Sequence, residues 1–331
     1  MSTIEKAAAR LVSKAKPAVP VILATDVAQS DSTAEIPQER VKVVEPSIVE
    51  NNLGKNVDIN NDSPVEADGS KAPDVVFQHT CELDFELLAE NGFLVPGHNN
   101  PQQSQEFRRI KRPLLLNQQP KLAAEFAKPT NVIFITSSLP GEGKTFVSLN
   151  LALSLAAELD KRVLLVDGDV AKRDLSRWMG IDEQPGLADL LVSGQPYGES
   201  TLIDTNVDRL QVLPCGKLVH NLDELFASTL MDTLISGLAD FDRDRIIIID
   251  GPPLIATTEA AVIARQMGQV VMVVEANKTP QSAVEQAAMQ LDGCQLVSML
   301  LNKASASSAG GYGYGYGYGQ DAQAEVRSVP L

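Results

Sequence analysis

Five short apolar runs constrain this chain's fold more than any other feature. Val132-Ile133-Phe134-Ile135-Thr136, Val163-Leu164-Leu165-Val166-Asp167, Ile246-Ile247-Ile248-Ile249-Asp250, Val270-Val271-Met272-Val273-Val274 and Val297-Ser298-Met299-Leu300-Leu301 are apolar at odd and even positions alike. Successive side chains of a strand point to opposite faces, so such runs are strands covered on both sides. Helix-like stretches at residues 146–159, 258–267 and 281–291 separate them, and Leu210-Gln211-Val212-Leu213 is a candidate further strand. Strands alternating with helices predict an α/β fold: a doubly wound, mostly parallel sheet with helices on both faces.

The apolar content is unevenly spread along the 331 residues, which favours one well-packed domain with flexible segments around it. The expected division is 1–84, a short helix at residues 2–16 followed by an acidic, largely disordered linker; 85–128, a helical segment; 129–303, the core domain; and 304–331, a flexible tail. Of the formal charge of -15, the stretch from Pro17 to Gln105 supplies 15 Asp/Glu against Arg40, Lys42, Lys55 and Lys71, a balance of -11. Acidity of this kind argues against nonspecific nucleic-acid binding, which needs Lys and Arg on phosphates. Cys81, Cys215 and Cys294 are widely spaced and odd in number, without zinc or disulfide spacing, and fit a reducing cytoplasm. No run reaches the roughly 18 apolar residues of a membrane helix, so a soluble chain is expected.

The first core strand runs straight into Ser137-Ser138-Leu139-Pro140-Gly141-Glu142-Gly143-Lys144-Thr145 and then, from Phe146, into a helical stretch. This is a P-loop in its strand–loop–helix setting. Gly141 and Gly143 let backbone N–H groups close around phosphate oxygens, and the helix points its positive end at the same place. Lys144 supplies a cation for the β and γ phosphates, and the Thr145 hydroxyl a magnesium ligand. Ser138 stands where the usual pattern has its first glycine, so the loop is a deviant Walker A. Ser138, Pro140, Gly141, Glu142, Gly143, Lys144, Thr145 and Phe146 are therefore candidate ATP-binding residues. Asp167-Gly168-Asp169 and Asp250-Gly251-Pro252-Pro253 close two other buried strands, where α/β sheets place ligand chemistry. Three carboxylates converging on one P-loop fit magnesium, which takes a few oxygen ligands and keeps waters.

Four of the five tyrosines, Tyr312, Tyr314, Tyr316 and Tyr318, alternate with glycine near the C-terminus. Alternating glycine makes backbone order costly, so this segment is expected to present mobile phenols, either as phosphate acceptors or as an adhesive low-complexity tail.

Together these residues resemble the bacterial tyrosine kinases that regulate exopolysaccharide and capsule assembly, and the Tyr-Gly tail is most similar to the exosortase-linked subgroup. The resemblance covers residues 104–318. It rests on the Ser-Ser-x-Pro-Gly-Glu-Gly-Lys-Thr loop, Asp167 and Asp169, Asp250 with its two prolines, and the stretch from Leu213-Pro214-Cys215-Gly216 to His220-Asn221-Leu222-Asp223-Glu224-Leu225, where Leu222 replaces the family's proline. It implies an ATP- and magnesium-dependent tyrosine autokinase. Lys144, Asp167 and Asp169 would be catalytic, Thr145, Asp167 and Asp250 would organise magnesium, Asn302 would lie near the base, and the four tail tyrosines would accept phosphate.

The same resemblance implies a homo-oligomer, possibly a ring, contacting through Glu106, Arg109 and Arg112, with Gln105, Arg108 and Lys111 as the alternative register. It also implies a separate membrane-bound chain-length determinant or activator, a cognate tyrosine phosphatase, and a place at the inner face of the membrane. The family's Asp-x-Asp-x-Arg pattern is broken here: Val170-Ala171-Lys172-Arg173 follows Asp169, leaving Lys172 or Arg173 to reach a phosphate. Two alternatives are a nucleotide-gated scaffold and a partition-type P-loop ATPase. The latter carries a signature lysine five places before the phosphate-binding lysine, where this chain has Leu139.

Overall fold

All five apolar runs lie in one sheet. The computed structural model describes residues 79–98, 100–194, 201–217, 222–226, 228–242 and 244–304, with strand segments at 21–23 and 43–44. In chain order the elements are β1 (Val21–Leu23), β2 (Val43–Val44), β3 (His79–Cys81), α1 (Phe85–Glu90), α2 (Pro101–Leu116), α3 (Pro120–Ala123), β4 (Val132–Ser137), α4 (Lys144–Ala156), β5 (Arg162–Asp167), α5 (Asp174–Trp178), α6 (Leu187–Ser193), β6 (Ile203–Thr205), β7 (Leu210–Leu213), α7 (Leu222–Phe226), α8 (Thr229–Phe241), β8 (Arg245–Asp250), α9 (Glu259–Gln266), β9 (Gln269–Glu275), α10 (Gln281–Gln290) and β10 (Val297–Asn302).

The sheet has 10 strands in the order β1-β10-β9-β4-β8-β5-β7-β6-β3-β2. Its central pairs β9–β4, β4–β8, β8–β5 and β5–β7 are parallel, whereas β6–β7 and β2–β3 are antiparallel. The mostly parallel α/β sheet expected from the sequence is what the chain forms. Leu210–Leu213 is the further strand β7.

Apolar residues at both parities have the predicted consequence. In β4, Val132 and Phe134 join one core while Ile133 and Ile135 join the other. In β8 the split is Ile247 and Ile249 against Ile246 and Ile248, and in β5 it is Leu164 and Val166 against Val163 and Leu165. One core is closed by Phe107, Ile110 and Leu114 of α2 and by α4, the other by α6, α8, α9 and α10. Each such fully buried aliphatic side chain contributes roughly 1.5–3 kcal/mol.

The described part of the chain departs from the expected 1–84 segment at its edges. His79–Cys81 pairs in parallel with β6, and Cys81 and Leu83 are buried beside α2 and α4, so the sheet reaches back before residue 85. The segments at Val21–Leu23 and Val43–Val44, inside the stretch read as linker, add the outermost strands. The helix read at residues 2–16 and the four tail tyrosines lie outside the described residues. Among the described residues no helix is long and apolar enough to cross a membrane.

Because β4, β5 and β8 run parallel, their carboxyl ends open on one edge of the sheet. β4 ends in the P-loop, and the β5–β8 register sets Asp167 directly against Asp250. That is the crevice position at which open α/β sheets hold ligands.

Candidate nucleotide site

The P-loop turns because its two glycines adopt backbone angles closed to other residues. Gly141 has φ 85° and Gly143 has φ 93°, and Gly143 stands immediately before α4. Helix α4 is buried on nearly every side, so its first turn is held rigidly under the loop.

Several long-range contacts clamp the loop from outside. The Glu142 side chain is only 2% exposed: its Oε2 accepts the Leu139 N–H at 2.7 Å, and its Oε1 accepts the Glu275 N–H at 3.4 Å and the Thr279 hydroxyl. Asn302 Nδ2 donates to the Glu142 carbonyl at 2.9 Å, and Lys303 Nζ donates to the Gly141 carbonyl at 2.9 Å. The residues that leave β10 therefore brace the loop backbone directly.

Within the crevice, Lys144 Nζ lies 2.8 Å from Asp169 Oδ2. That oxygen makes no hydrogen bond of good geometry, so the attraction is chiefly Coulombic. Burial works against the lysine charge, but Asp250 and Asp169 outweigh it and raise its pKa. Asp250 is fully buried, and burial lifts its carboxyl to about 6, with Lys144 and the Thr145 and Ser148 hydroxyls pulling the other way. Ser148 Oγ lies 2.9 Å from Asp250 Oδ1 and 2.9 Å from the Lys144 carbonyl, one proton between two acceptors. Asp167 is lifted to about 7 by burial and by the facing Asp250, while two bonds from Ser176 oppose the shift.

These carboxylates and the Thr145 hydroxyl form an all-oxygen set beside the P-loop. Asp250 Oδ2 is buried without a hydrogen-bond partner, and two carboxyls are lifted, chiefly by burial and for Asp167 also by the facing Asp250. Both observations fit a magnesium ion carried in with a nucleotide, since such a site needs one or two carboxylates and substrate phosphates. Among the described residues no three His, Cys, Asp or Glu side chains form a metal cage, so the expected convergence of three carboxylates is looser than a closed all-protein site.

With this geometry in view, comparison with known proteins is decisive. A model of the AAA domain matches residues 130–298, just over half of the chain. Tyrosine-protein kinase CpsD of Streptococcus agalactiae serotype Ia is 33% identical over 184 residues, which cover 54% of this chain and 77% of that protein. The chain belongs to the AAA-domain family and, within it, to the bacterial tyrosine-protein kinases. Tyrosine-protein kinase ptk of Acinetobacter johnsonii is 35% identical over 156 residues, 47% of this chain but 21% of that protein. The chain thus spans about a fifth of the length of such longer relatives. The kinase domain of Escherichia coli tyrosine kinase ETK has the same fold: the match covers 75% of this chain and 100% of that domain, with TM-score 0.55 and 22% identity.

Several family positions have surroundings that the sequence did not disclose. The Phe146 ring packs into the core 5.1 Å from Phe93, which leaves only its backbone to face a ligand. Ser138 is buried with an unpartnered Oγ, and Pro140 and Gly141 are exposed. Asn302 is spent on the P-loop carbonyl. Arg173 sits at φ 57° with Nε 3.0 Å from Cys215 Sγ and Nη2 on the Asp182 carbonyl, so it ties together two loops. Lys172, the neighbouring cation, is half-exposed.

The α2 trio is also divided. Glu106 is 4% exposed while Arg109 and Arg112 are exposed, because steps of three residues drift about 60° around a helix. Lys111, in the alternative register, turns inward to the Ser154 carbonyl and Glu158, each at 2.6 Å. The basic outer face of α2 is Arg108, Arg109 and Arg112. Sequence reading missed Ser148 and Ser176, which hold the two lifted carboxylates. Ser148 had a signal, a hydroxyl one turn after Lys144 within a largely apolar stretch, whereas Ser176 had none.

Proposed function

We propose that the chain is an ATP-dependent protein-tyrosine autokinase that transfers the γ-phosphate of ATP to Tyr312, Tyr314, Tyr316 and Tyr318. The transfer runs in trans within a homo-oligomer and regulates exopolysaccharide or capsule synthesis or export at the inner face of the membrane. A separate membrane-bound activator recruits it, and a tyrosine phosphatase resets it. The observation that carries the reading is the buried Lys144–Asp169 pair beside the P-loop, with Asp167 and Asp250 lifted around it.

The P-loop N–H groups and Lys144 hold the phosphates and stabilise the charge that spreads over the γ-phosphoryl oxygens. Magnesium, when bound, neutralises phosphate charge, with Thr145, Asp250 and Asp167 as its protein side. The phenol oxygen forms the new bond to the γ-phosphorus, the bond to the bridging oxygen breaks, and ADP departs. A phenol with a pKa near 10 needs a carboxylate to take its proton. Family likeness favours Asp167 for that task. The geometry supports Asp169, because Asp167 is already held by Ser176, whereas Asp169 is released when Lys144 turns to the phosphates.

Transfer in trans is tested by mixing a full-length Lys144→Ala chain with an active chain lacking the tail. Phosphate on the intact tail is the expected result. An unphosphorylated tail, with the wild-type chain active alone, would overturn it.

A further inference from the structure

Ser176 closes a hydrogen-bonded unit around Asp167. Its backbone N–H donates to Asp167 Oδ2 at 2.8 Å and its hydroxyl donates to the same oxygen at 2.6 Å. The hydroxyl oxygen in turn accepts the Cys215 N–H at 3.2 Å. Because that N–H occupies the oxygen's acceptor side, the single hydroxyl proton is directed to Asp167. Both Ser176 and Asp167 are fully buried, so no water competes for these bonds. The other Asp167 oxygen, Oδ1, meets the Asp169 N–H at 3.3 Å, and Asp250 faces Asp167 across the β5–β8 register.

We infer that Ser176 is a positioning residue for magnesium–nucleotide: by holding Asp167 Oδ2 with two hydrogen bonds it fixes the carboxylate plane, and with it the place of Oδ1, the oxygen beside the Asp169 N–H. The inference deepens the kinase reading and rests on Asp167 serving the metal. Ser176 is fully buried with its hydroxyl proton given to Asp167, so it acts through Asp167. It is anchored by the segment after β7, so the position of Cys215 is relayed to the metal side of the site. Outer partners of metal-binding carboxylates commonly carry an effect of this kind.

The test is equilibrium binding of a fluorescent ADP analogue with and without magnesium, which needs no phosphoryl transfer. Ser176→Ala is expected to lose roughly tenfold of the magnesium-dependent gain in affinity while binding without magnesium is unchanged. Ser176→Thr, which keeps the hydroxyl, is expected to recover most of it. In an Asp167→Asn background, Ser176→Ala should have no further effect, because one residue acts through the other. A full magnesium gain in a folded Ser176→Ala chain would overturn the inference, as would an equal loss in the Asp167→Asn background. Since wild-type binding is read directly, a chain that binds magnesium–nucleotide but phosphorylates nothing defeats the kinase reading and leaves this one standing.

Discussion

Lys144 Nζ and Asp169 Oδ2 meet at 2.8 Å with side chains 6% and 3% exposed, so the P-loop lysine and a carboxylate bury their charges against each other. Removing one member of a buried pair strands the other charge, at a cost of about 3–5 kcal/mol. Asp169→Ala is therefore expected to lower the stability of the ligand-free protein by an amount near the low end of that range, since Asp250 still attracts Lys144. Urea unfolding measures it. A loss no larger than that of an exposed pair would mean that the contact carries little.

The lifted carboxyls give ligand-free stability a definite pH slope. Asp167 titrates at about 7 and Asp250 at about 6, whereas unfolded carboxylates titrate near ~4. Between these limits the folded chain binds more protons than the unfolded one, so its stability falls as pH rises from ~4 to ~7. The melting midpoint of the ligand-free protein should be higher near about pH 5 than near about pH 8. Asp167→Asn should flatten that difference. An Asp167→Asn profile as steep as the wild type would contradict the assignment.

Arg173 and Lys172 separate structure from ligand. Arg173→Ala removes the bonds to Cys215 and Asp182 and is expected to cost about 1–2 kcal/mol of stability with nucleotide affinity unchanged. Lys172→Ala should leave stability within about 0.5 kcal/mol and weaken ATP binding several-fold. Calorimetry on both variants reads the two effects, and the reverse pattern would return the family's cation role to Arg173.

Phosphorylation should control assembly through charge. Each phosphotyrosine adds about -1.5 to -2, so four tail phosphates add roughly -6 to -8 per chain. Crowded tails repel, and exhaustive incubation with ATP is expected to shift the protein from oligomer to monomer. A chain with Phe at all four tail positions should stay assembled. Light scattering before and after ATP decides it, and an unchanged wild-type mass would count against the switch.

How much of this was legible in the sequence depended on range. The central strands declared themselves because burial on both faces forces apolar residues at both parities, and the P-loop because its glycines and lysine are contiguous. The edges did not: His79–Cys81 and Ile203–Thr205 are three-residue strands, too short for any period to show. Glu106 is buried apart from Arg109 and Arg112 because spacing by three gives a drifting stripe, and which face α2 buries is set only by its packing on α4. The clamps on the P-loop from Thr279, Asn302 and Lys303, and the hold of Ser176 on Asp167, join residues whose proximity only the folded sheet creates.

The central claim is phosphoryl transfer to the chain's own tail, and mass-spectrometric mapping after incubation with magnesium, ATP and the membrane activator tests it most directly. The account predicts phosphate on Tyr312, Tyr314, Tyr316 or Tyr318 in the wild type and none in Lys144→Ala. ADP formation with an unmodified tail, or bound ATP with neither product, would contradict it.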